Sequence, residues 1–188
     1  MDLSTAAWDL ARATLSSAIP RRWSHVQGVA ARASQAAKLL PPPEGKLLIA
    51  AALLHDIGYA PGVRLTGFHS LDGARYLRTV GVPERLCALV AHHSCARIEA
   101  ELRCLSVELA EWDDEATELR DALWWADMTT TPDGQPTNIH DRVTEIQQRY
   151  GPDDLVTMFI QRAEPELVAA VERTQARMRA AGVSHLEK

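Results

Sequence analysis

The stretch from Leu47 to Gly58, LLIAAALLHDIG, constrains the fold more than any other part of this chain. Eight consecutive apolar residues, Leu47 to Leu54, run directly into His55 and Asp56. The run is too short to cross a bilayer, and its alanines favour helix over strand. It therefore reads as a buried helix over Leu47–Asp56, with Gly58 as the stop just past its end. A carboxylate delivered by a buried helix is costly unless it is paired or coordinates a metal. His55 and Asp56, on the last turn, are thus expected to point at a common cation.

A chain of 188 residues is long enough for one domain with its own core. Its net charge of −5 argues against a general nucleic-acid surface, and no apolar stretch has membrane length. The N-terminal MDLSTAAWDLARATL carries acids early and no basic segment ahead of an apolar core, so no secretory signal is expected. Cys87, Cys95 and Cys104 lack CxxC spacing and read as reduced thiols of a cytoplasmic protein.

Strand signals are nearly absent, and helical periodicity punctuated by Pro and Gly dominates. The expected fold class is all-α, a single-domain helical bundle over 1–188, with a core at about 22–128 and C-terminal helices at about 137–181. A first helix runs to about Ser17, ended by Ile19-Pro20, and a second from about Arg22 to Leu40, stopped by Pro41-Pro42-Pro43. Helices are also expected from His69, over Pro83–His93, Arg97–Leu105, Thr117–Asp127 and Thr137–Tyr150. A last long helix from Asp153 to about Ala181 contains Pro165, and the tail VSHLEK is expected to fray. The tryptophans Trp8, Trp23, Trp112, Trp124 and Trp125 read as core packing.

Good metal-binding side chains lie beside apolar runs at His25, His55, Asp56, His69, His92, His93 and Asp127. Imidazole with carboxylate suits iron, manganese or zinc better than calcium. His92 and His93 diverge by roughly 100° on a helix, so one is expected to face the site and the other solvent. Asp127 repeats the device of Asp56, a carboxylate at the end of an apolar helix. A second HD dipeptide, His140-Asp141, sits in a polar amphipathic segment and is expected at the surface; His185 lies in the tail.

The order His25 … His55-Asp56 … Asp127, with HDIG at His55–Gly58, resembles the HD-domain metal-dependent phosphohydrolases. His69 in HSLDGARYL and His92 in ALVAHHS extend the likeness to the binuclear branch, over about Arg22 to Asp127. Within it, the chain is especially similar to bacterial HD proteins that split symmetrical diadenosine tetraphosphate with a di-iron centre. The resemblance implies one ion held by His25, His55, Asp56 and Asp127, and a second sharing Asp56 with His69 and His92, with His93 as the alternate. Iron or manganese is implied first, with zinc, nickel and magnesium compatible. The implied activity is hydrolysis of a small phosphorylated substrate, a nucleotide before others, by a metal-activated water bridged through Asp56. Arg97 is the candidate phosphate clamp. Tyr59 stands where the related cyclic-di-GMP phosphodiesterases carry Lys, and their GYP motif is missing, which argues against that substrate. The same ligand pattern serves mixed-valent di-iron oxygenases, and an HD fold can also be a non-catalytic nucleotide-binding module. No duplex nucleic acid or membrane partner is expected, and nothing in the sequence fixes an oligomeric state.

Overall fold

A computed structural model describes residues 2–183. The tail with His185, expected to fray, lies largely outside them. Ten α-helices are described: α1 (Leu3–Leu15), α2 (Pro20–Ala36), α3 (Pro42–Leu54), α4 (His69–Thr79), α5 (Glu84–Ala91), α6 (Ala96–Leu102), α7 (Ser106–Leu109), α8 (Glu118–Met128), α9 (Ile139–Tyr150) and α10 (Leu155–Ala180). Among the described residues the β pairing amounts to one isolated bridge, Thr130 with Pro136. The chain is all-α, as its periodicity predicts. Among the described residues no helix is long and apolar enough to cross a membrane.

The prolines act more as starters than as stops. Pro20 opens α2 and Pro42 opens α3, because a fixed φ and a missing N–H cost nothing in a first turn. Thr117 and Asn138 cap α8 and α9, accepting from the backbone N–H of Arg120 and Asp141. Pro165 is accommodated inside α10.

Two helices form the centre. In α3, Leu48 and Ala50 to Leu54 are all buried, and in α8 every residue from Leu119 to Met128 is. A helix buried on nearly every side must be enclosed by others. α3 packs against α1, α2, α5 and α8, while α10 packs on α8, α9 and α6. Burial of each Leu of α3 stabilises by roughly 1.5–3 kcal/mol, and the alanines let neighbouring helices come close. Trp112, Trp124 and Trp125 are buried, whereas Trp8 is exposed. Cys87 and Cys95 are buried free thiols, and Cys104 is exposed.

The end of α3 departs from expectation. The helix stops at Leu54 with His55 as its C-cap, and Ile57–Tyr59 forms a 3-10 turn. Gly58 is not a helix stop with left-handed backbone. It is the point where this turn touches the start of α4: a Cβ on Gly58 would lie 1.9 Å from the His69 carbonyl oxygen and 2.7 Å from the Gly73 nitrogen. The glycine sets the distance between the HD pair and His69. Gly58→Ala should therefore cost at least about 3 kcal/mol and lower Tm by roughly 6–12 °C. A variant that melts within a degree of wild type would show that the two segments are not in this contact.

Candidate metal centre

Five elements bring their ends to one point. His25 comes from α2, His55 and Asp56 from just past α3, His69 from the first position of α4, and Asp127 from the last turn of α8. The fifth contributor is His93, from the 3-10 turn His93–Cys95 after α5. His25, His55, Asp56 and His93 are buried, with relative exposures of 1%, 0%, 2% and 3%. Ligand atoms of His25, His55 and Asp56 lie within 4.8 Å of one another, as do those of Asp56, His69 and His93. Asp56 belongs to both groups. The C-terminal ends of α3 and α8 add the negative ends of two helix dipoles, which favour a cation.

The histidines are aimed by backbone carbonyls. His25 Nδ1 donates to Thr131 O (2.9 Å), His55 Nδ1 to Ala52 O (2.8 Å) and His93 Nδ1 to Val90 O (2.6 Å). A ring whose proton sits on Nδ1 presents the lone pair of Nε2 to the site. His25 Nε2 stands 3.1 Å from Asp127 Oδ1 and 3.7 Å from Asp56 Oδ2. His55 Nε2 stands 3.3 Å from Asp56 Oδ2 and 3.8 Å from Asp127 Oδ1, yet is buried without a hydrogen bond. His69 Nε2 is 3.5 Å from Asp56 Oδ1 and 3.1 Å from His93 Nε2. Lone pairs facing carboxylate oxygens in a buried site repel unless a cation stands among them, so the donor set fits a metal ion.

Electrostatics agree. Burial alone would lower the His55 pKa, but the charges of Asp56 and Asp127 outweigh it and hold it up at about 8. A proton does there what a metal ion would do. Burial would likewise raise the Asp56 carboxyl; Arg22, His55 and His69 instead hold it well below the carboxylate range. His69 and His93 go the other way: burial pushes both pKa values down, His93 adding to the effect on His69 and His55 to that on His93. Both rings are neutral near pH 7 and able to ligate.

Two expected residues are elsewhere. His92 does not reach the cluster. Its Nε2 lies 2.8 Å from Trp112 O, and its own carbonyl accepts from Trp124 Nε1 at 3.1 Å. The chain leaves the helical path here: Ser94 and Cys95 take φ of 48° and 62°, turning His93 inward. Arg97 is half-exposed and ion-paired with Glu166, and it does not line the cavity beside Asp56. The structure brings His25, His55, Asp56, His69 and Asp127 together, and His140 and Asp141 are exposed.

Other residues at the site carry no sequence signal of their own. Arg22 Nη1 is 2.6 Å from Asp56 Oδ2, and its guanidinium lies over the Tyr59 ring at 4.1 Å. Tyr59 in turn stacks on His69, with ring centroids 4.1 Å apart. The Ser94 hydroxyl donates to Asp127 Oδ2. Asp72, fully buried, accepts from the backbone of Leu65, Thr66 and Gly67 and so fixes the loop before His69. Gly28 and Gly134 meet backbone to backbone; a Cβ on Gly28 would lie 2.4 Å from Gly134 O. That contact seats the 129–136 loop on α2 and keeps the Thr131 carbonyl against His25.

The site opens into a cavity of about 360 Å³ lined by Asp56, His69, His93 and Asp127 together with residues of α6, α9 and α10. An all-helical fold with a buried histidine–carboxylate centre at the floor of a cavity is the architecture of a metal-binding helical domain. The HD domain family model matches residues 22–133, and the chain belongs to that family, whose members are commonly metal-dependent phosphohydrolases. No curated protein and no solved structure matches the chain.

His93→Ala should lower the metal-to-protein ratio found by elemental analysis. His92→Ala should leave the ratio at the wild-type value and cost about 1 kcal/mol of stability, or roughly 2–4 °C in Tm, for the lost bond to Trp112. Metal loss in the His92 variant alone would reverse the assignment.

Proposed function

We propose that this protein is a binuclear metal-dependent phosphohydrolase that cleaves a small phosphate ester or anhydride. The observation that carries the reading is Asp56, which stands in both ligand groups and lies in the cavity wall. His25, His55, Asp56 and Asp127 would hold one ion; Asp56, His69 and His93 would hold the other. Iron or manganese suits this set, and zinc, nickel or magnesium is compatible. Bound there, the ions supply Lewis acidity, lowering the pKa of water and neutralising charge on the phosphoryl oxygens.

The chain's own groups do the rest. The Ala52, Val90 and Thr131 carbonyls hold the ring protons on Nδ1, so that no Nε2 is lost to the wrong tautomer. Ser94 holds Asp127 in place through Oδ2 and leaves Oδ1 turned to the histidines. Arg22 replaces Arg97 as the phosphate clamp. It lines the cavity, has its guanidinium on Asp56, and presents a planar fork suited to phosphoryl oxygens. Tyr59 stays protonated, because burial pushes its pKa far above neutral, and it braces Arg22 on one face and His69 on the other.

Purified protein should hydrolyse a generic phosphodiester or a dinucleoside polyphosphate when supplied with iron or manganese, and Asp56→Asn should lose at least about 10³-fold in rate together with its metal. Full metal content in that variant would remove Asp56 from the bridge. Turnover that requires dioxygen would instead favour an oxygenase on the same ligands.

A further inference from the structure

The cavity wall contains cations that the metal centre does not use. Arg64 comes from the loop before α4, Arg103 from the end of α6, and Arg142 and Arg149 from α9. None lies within ion-pair distance of Asp56 or Asp127, in contrast to Arg22. Their acidic partners are fewer than they are. Glu99 binds Arg103 at 2.7 Å. Glu145 is shared, bonding Arg142 Nη1 and standing 3.5 Å from Arg149 Nε. Arg64 has no acidic partner among the described residues. Asp154, also near Glu99, is engaged at the start of α10 through Val156 N. Four guanidiniums thus meet two carboxylates, which leaves an excess of two positive charges on this side of the cavity, in a chain whose net charge is −5. Arg142 is only 5% exposed, and its Nε is buried without a hydrogen bond. A guanidinium so nearly buried at the cavity wall shares its one carboxylate, Glu145, with Arg149, and an anion in the cavity would supply the missing compensation.

Both arginines of α9 lie outside residues 22–133, the region of the family match. They belong to what this chain adds to the domain, together with Tyr150 and Phe159, which line the same cavity.

We propose that Arg64, Arg103, Arg142 and Arg149 form a second anion subsite, so that the substrate is a polyphosphorylated small molecule with one phosphate at the metal centre and another on these arginines. This rests on the phosphohydrolase reading for the first phosphate only; the second subsite binds its anion whether or not turnover occurs. The excess of two charges matches one phosphate group. The cavity, near the lower limit for small-molecule pockets, suits a compact polyphosphate compound and excludes a duplex.

The test is a calorimetric titration of the full chain with pyrophosphate and with orthophosphate, at a fixed free Mn²⁺ concentration so that chelation is the same throughout. Wild type should bind pyrophosphate about 30-fold or more tightly than orthophosphate. In the double variant Arg64→Ala/Arg149→Ala, two exposed positions where folding is safe, the preference should fall to about 3-fold or less. Circular dichroism and Tm report that the variant is folded. A wild type without the preference, or a variant that keeps it, would overturn the second subsite. Absent hydrolysis with the preference intact and abolished by the variant would overturn the phosphohydrolase reading and leave the subsite standing.

Discussion

The carboxylate of Asp56 is the constraint on which the rest of the structure depends. It is buried at the end of the most apolar helix, where an uncompensated charge would cost several kcal/mol. Everything near it supplies positive charge or a lone pair for a cation: Arg22 on Oδ2, His25 and His55 facing the same oxygen, His69 and His93 facing Oδ1. The fold can bury this group because α2, α3 and α8 pack against one another around it. Function and packing are therefore one problem here. The helices that build the core also place the ligands, and two glycines at backbone contacts, Gly58 and Gly28, set the spacings between them.

The second feature is the use of main-chain carbonyls to fix imidazole tautomers. Three rings from three elements are each held through Nδ1 by a carbonyl, two from the turn just before the histidine and one, Thr131, from a distant loop. This is a rigid arrangement, since each carbonyl belongs to a helix end or a loop held on a helix. The wall built from α9 and α10 shares no ligand with the metal centre.

Much of this was legible in the sequence because burial and helix termini leave strong traces. An apolar run ending in His-Asp, a second ending in Asp127, and histidines at the starts of α2 and α4 all mark a helix end, and a helix end can aim a side chain. The choice between His92 and His93 was not legible in the same way. It depends on the left-handed backbone of Ser94 and Cys95, and neither residue type announces such a conformation. Gly58 was visible but misread, since a glycine required for close approach looks the same in sequence as one that ends a helix. Arg22 and Arg97 are equally plausible as letters. Only the path of α2 puts the first on Asp56, while α10 supplies Glu166 to neutralise the second. The carbonyls that orient the rings have no signature at all, because every residue carries one.

Anomalous X-ray diffraction from crystals grown with manganese or iron tests the central claim most directly. The account predicts two metal peaks per chain flanking Asp56, with His93 Nε2 among the ligands of one and His92 still bonded to Trp112. A single peak held by His25, His55, Asp56 and Asp127, with His69 and His93 turned away from it, would contradict it.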